Sequence, residues 1–167
     1  MKKEGVGDAL KKAARIIPGI GSYQDRETTR EADKALREQM SRRLDELIGL
    51  VEWIKTDQAK KGGWKKIKDL EELSRDLETA SRMIERAARG YNGVFDRQRI
   101  DEEALSRLYT YDEDMWRLID PIEEAILAFT EKGNIPEPEK IKAIRKSVLA
   151  LQDKVKKRDQ VLKETGA

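Results

Sequence analysis

The chain contains no cysteine and no histidine. Without cysteine there is no disulfide, no thiolate metal site and no thiol nucleophile. Without histidine the usual general base, the imidazole-built triad and the commonest metal ligand are gone as well. Aromatic residues are sparse at 5%, and no apolar run approaches the roughly 18 residues of a membrane-spanning helix. The basic opening, MKKEGVGDALKKAARIIPGIG, lacks the long apolar core of a secretory signal. Neither a phosphate loop closed by Gly-Lys-Ser/Thr nor a Gly-x-Ser-x-Gly elbow is found. The expectation is a non-catalytic protein with no cofactor, no metal and no evident small-molecule substrate. A cytoplasmic location follows as the default, with a peripheral place at the membrane as its alternative.

What the chain has instead is charge in regular array. Charged residues make up 41% of its 167 positions, yet the net charge is only +2. That near-balance argues against a dedicated nucleic-acid binder, which carries a strong basic excess. Apolar residues recur at spacings of three and four in four long segments, so the charge is laid over helices and not over a disordered chain. The seams are Met40, Leu44, Leu47, Val51, Ile54; then Leu70, Leu73, Leu77, Ala80, Ile84, Ala87, Tyr91. The third runs Leu105, Leu108, Tyr111, Met115, Leu118, Ile122, Ile126, Phe129, and the last Ile141, Ile144, Val148, Leu151, Val155, Leu162. No stretch alternates with period two, so no sheet is predicted.

Turn signals divide these segments. KKGGW (Lys60 to Trp64) separates the first two with paired glycines. RGYNGVFDRQRID (Arg89 to Asp101) reads as a longer connection, with Asp101 capping the next helix and Ile100 and Leu105 as its staple. KGNIPEPE (Lys132 to Glu139) ends the third helix at Gly133 and starts the last through its prolines. Short connections join antiparallel neighbours. The predicted fold is all-α: an antiparallel up-down four-helix bundle of long helices over 22–167, preceded by a short amphipathic helix on a Pro-Gly hinge over 1–21. Inside the third helix, Pro121 predicts a kink, with Asp120 and Glu123 placed to form a capping box around it.

The stretch ARIIPGIGSYQDRE (Ala14 to Glu27) resembles the turn of a helix-hairpin-helix DNA-binding motif. Asp25 and Thr28 stand where the second helix of that motif needs apolar contacts, and Asp25 and Glu27 would crowd a phosphate. A hinge is the better reading, and weak nucleic-acid binding the least favoured. Before the hinge, Leu10, Lys11, Lys12, Arg15, Ile16 and Ile17 belong to a short basic amphipathic helix. It either covers the bundle end or docks on a membrane or partner.

A carboxylate-rich bundle invites a di-iron site, but such sites need Glu-x-x-His pairs facing inward. Asp112, Asp114 and Asp120 could hold a hard cation only weakly, and their groups are expected on wet faces. Between Asp101 and Glu124 nine acids stand against Arg107 and Arg117, whereas KKGGWKKIK and KVKKRDQVLK are basic. Such blocks predict pairing between neighbouring helices, or an acidic face for a basic partner. The basic end from Lys154 to Arg158 is expected to extend past the core and fray.

Two blocks, IPGIGSYQDRETTREADKALRE (Ile17 to Glu38) and RGYNGVFDRQRIDEEALSRLYTYD (Arg89 to Asp112), carry a resemblance. They are similar to an uncharacterised family of bacterial all-helical proteins. The resemblance implies a bacterial protein with no assigned activity, so no functional residues are carried over. It points to Tyr23, Arg30, Asp33, Lys34, Tyr91, Phe95, Asp96 and Tyr109 as a candidate interaction surface. The function expected is that of a protein–protein interaction or scaffold module, acting on a partner or through self-association.

Overall fold

The computed structural model describes residues 26–97, 102–131 and 136–165. These form four long helices, with no strand among the described residues: α1 (Arg26–Lys60), α2 (Trp64–Arg97), α3 (Glu102–Leu127) and α4 (Pro138–Thr165). A 3-10 turn, Ala128–Thr130, follows α3. The proposed hinge and the helix before it lie outside the described residues.

The α1–α2 turn is built by the paired glycines. Gly62 adopts φ 75°, a left-handed conformation that costs other residues energy. Its N–H bonds the carbonyl of Ala59 at 3.2 Å, and the N–H of Gly63 bonds that of Gln58 at 2.8 Å. This pair of reversed bonds is a Schellman stop, and it satisfies carbonyls that the end of α1 would leave open. At the other end of the chain, Pro138 opens α4, where its missing N–H has no helical partner to lose.

Three boundaries differ from expectation. α2 does not end near Arg89 but continues through Gly90 and Gly93 to Arg97. Glycine weakens a helix interior by about 1 kcal/mol yet donates its N–H normally, and no proline intervenes. α3 stops at Leu127, earlier than Gly133, tightening into the 3-10 turn; Thr130 there donates its hydroxyl to the Leu127 carbonyl at 2.7 Å. α4 stays helical through the basic stretch to Thr165, with Val155 and Arg158 buried, so that stretch is anchored and does not fray.

One continuous core joins all four helices, and the seams expected on α1 and α2 supply it from Met40 to Ile54 and from Leu70 to Ile84. On α3 the buried stripe turns by one position. Asp112 and Ile119 are buried, while Tyr111 and Leu118 are half-buried. Contacts are extensive for α1 on α2, α3 on α4 and α2 on α4, and smallest for α1 on α3. The sequential pair α2 and α3 is not among these contacts for the described residues. The step from Arg97 to Glu102 can reach ~17 Å when extended, enough to cross to a non-adjacent helix in a bundle with ~10 Å spacing.

Polar pairs fix which residues meet. Ser41 bonds Ser81, Ser81 donates to Asp45, and Ser74 donates to Glu52, each within 2.9 Å. Positions rise along α1 as they fall along α2. Between α3 and α4, Asp112 meets Arg158 and Asp114 meets Lys154, again in opposite order. Arg145 of α4 binds Glu72 and Asp76 of α2, and Gln152 donates to the Asp76 carbonyl at 2.8 Å.

Candidate functional site: the open face of α1 and α3

α1 and α3 are tied by one guanidinium. Arg43 binds Glu123, reaches Asp120 at 2.8 Å, and lies 4.8 Å over the Trp116 ring. Trp116, Asp120, Glu123 and Leu127 are spaced by four, three and four, so they make one stripe along α3. Its first three members touch Arg43; the fourth, Leu127, is 42% exposed. On α1, Leu50 follows Arg43 by two turns and is half-buried against the core. Trp53 stands one turn further on the outer flank and is 55% exposed. Gly49, four residues before Trp53, has open space where a side chain would stand. Above the Arg43 clasp, therefore, this side of the molecule carries apolar surface on both helices. Glu46 and Glu124 are exposed at helical spacing from these residues, and Glu131 is exposed just past the 3-10 turn; together they give the face an acidic rim.

The interior serves packing. Asp112 and Arg158, at 2% and 0% exposure, form a buried pair with bonds of 2.5 and 3.1 Å. Arg37 of α1 is also buried there. Burial pushes the Asp159 carboxyl above the usual range, opposed by the charges of Arg37 and Lys163. Leu108 and Val161 form a small second cluster with Tyr111, over whose ring Lys154 sits at 5.6 Å while bonding Asp114 at 2.5 Å. These groups fix how α1, α3 and α4 meet. A buried ion pair is costly to break but adds little when intact, and its clearest use is to select one register.

Pro121 lies inside an uninterrupted α3, so the capping box expected around it is not made. Asp120 and Glu123 both go to Arg43 instead. On its other side Pro121 edges a groove of about 310 Å³ between α3 and α4, lined by Ala125, Ala128 and Ala143 over the buried Phe129 and Ile144. The three aspartates considered for a cation diverge: Asp112 meets Arg158, Asp114 meets Lys154 and Asp120 meets Arg43. Asp112 is also buried, against the expectation of a wet face; two N–H groups of the Arg158 guanidinium take the place of its water. Among the described residues no three acidic groups are placed to hold a metal ion, and no helix is long and apolar enough to cross a membrane.

Of the surface suggested by the family resemblance, only the side chains of Lys34 and Tyr109 are among those described. Tyr109 is buried at 7% exposure, two turns before Trp116 on the stripe that meets α1, so it is not an exposed contact. Lys34 is exposed and pairs with Glu38 at 3.9 Å. Arg30 and Asp33 lie in α1, and Tyr91, Phe95 and Asp96 lie in α2, not in a connection. Tyr23 and the docking set Leu10, Lys11, Lys12, Arg15, Ile16 and Ile17 lie outside the described residues. Sequence reasoning missed Trp53 and Trp64, the two most exposed large apolar side chains described. The signal was there for Trp53, which falls off the seam of Val51 and Ile54.

Comparison with protein-family models, with curated proteins and with solved structures finds no match. The functional reading therefore rests on the residues of this chain.

Proposed function

We propose that the four helices form an antiparallel up-down bundle that serves as a non-catalytic interaction or scaffold module. Its docking face is the α1–α3 side around Trp53. The exposure of Trp53 and Leu127 along the least-packed of the four contacting helix pairs carries this reading. Large apolar groups grouped on one face are the usual mark of a partner site, and tryptophan is a strong interface anchor. The acidic rim gives the partner a chemistry: an amphipathic helix with a basic flank, laying its apolar side along the seam. The buried polar groups support the same reading, since each pair described above joins one helix to another.

Leu149 provides the internal comparison. It is 49% exposed on α4 but stands alone among exposed Lys146, Ala150 and Asp153. Affinity capture with the wild-type chain, with Trp53→Ala/Leu127→Ala and with Leu149→Ala tests the face, circular dichroism serving as the folding control. Partners retained by wild type and Leu149→Ala should be lost from the double variant. Identical capture by all three would contradict the proposal.

A further inference from the structure

We infer that the tip of the α1–α2 hairpin docks on an anionic lipid surface. This goes beyond the protein-docking reading and uses different residues. From Lys55 to Lys68 the chain carries six lysines (Lys55, Lys60, Lys61, Lys65, Lys66, Lys68) and a single acid, Asp57. Lys55 and Lys61 are engaged by Glu52 and Asp57. Lys60, Lys65 and Lys68 are exposed around the turn. In their midst Trp64, the first residue of α2, is 70% exposed. The neighbouring start of α4 brings Glu137 and Glu139, but these are paired with Lys140 and Lys142 on their own helix.

Shape decides between anionic partners. Gly62 has nothing within 4 Å of where a side chain would stand, so the turn is a convex, uncovered tip. Single-stranded nucleic acid is held in grooves that offer several stacking platforms in succession. A lone tryptophan at a convex apex ringed by lysines suits a bilayer instead. There the indole settles at the headgroup level, and the ammonium groups meet acidic lipids. Two signals together, one apolar and one basic, are what reversible membrane anchoring requires.

The test is flotation of the full chain with phosphatidylcholine vesicles, with and without phosphatidylglycerol. Binding should require phosphatidylglycerol, weaken with salt, and blue-shift tryptophan emission. Lys65→Gln/Lys68→Gln should bind about 25-fold less tightly, at roughly fivefold per lysine, while Lys65→Arg/Lys68→Arg binds as wild type. Trp64→Phe should lose the blue shift, and Trp53→Ala/Leu127→Ala should bind vesicles normally. Equal binding to neutral vesicles would overturn the inference. So would unchanged flotation of the lysine-to-glutamine variant, which would assign lipid binding to the basic N-terminal stretch. Retention of the chain on single-stranded DNA through these lysines, without vesicle binding, would overturn it in favour of nucleic acid.

Discussion

Removing the Asp112 carboxylate would leave Arg158 buried at 0% exposure without its main counter-charge. Asp112→Ala should destabilise the fold by about 3–5 kcal/mol in urea titrations, and Asp112→Leu with Arg158→Met should restore most of the loss. Failure of the double variant to recover would mean that the pair contributes more than register. Asp159 gives the opposite case. Its folded carboxyl lies above the ordinary value, mainly through burial, so the native state holds the proton more tightly than the unfolded chain. The associated stability is complete below the unfolded carboxylate range and is lost as pH rises through the raised value. Asp159→Asn should therefore be more stable than wild type at neutral pH, and the advantage should vanish in acid; denaturant midpoints at the two pH values measure this. The burial of Asp112 and Arg158 went against the expected wet face and fraying end, although a signal for it was present. Asp112 stands at seam spacing between Leu108 and Met115, and Arg158 stands three residues after Val155. A charge on an apolar stripe signals a buried pair, but only the fold shows which partner answers it.

Among the elements, the α1–α2 turn was readable because its chemistry is local. Two glycines in succession supply the left-handed residue and the close approach that a Schellman stop needs. Gly62→Ala should cost about 1–2 kcal/mol, the penalty of a side chain in the left-handed region, read as a lowered urea midpoint. No change would mean that the turn relaxes to another conformation. The end of α2 was misread for the converse reason: Gly90 and Gly93 look like punctuation, but neither is required to leave the helical region. Pro121 was placed correctly within α3, and its neighbours were given the wrong task. Asp120 and Glu123 have the spacing of a capping box, yet an arginine on another helix offers them a stronger, charge-assisted partner.

At the scale of the molecule, the four helical segments and most of their buried seams follow from apolar spacing alone. Which helices lie side by side does not, because the joining residues constrain reach and not direction. The charge blocks answered part of that question: Asp114 and Asp112 of α3 pair with Lys154 and Arg158 of the last basic block, whereas Arg43, which binds Asp120, belongs to neither block. The proposed docking face was hidden for a different reason. Trp53 and Leu127 lie far apart in sequence, and only the register around Arg43 brings their stripes to the same side. The most direct measurement of that face is site-specific photo-crosslinking with benzoylphenylalanine in place of Trp53, compared with the same probe in place of Leu149. A discrete adduct with one protein species from position 53, and none from position 149, is the predicted result. Equal labelling from both positions, or none from position 53 under conditions where a partner co-purifies, would contradict it.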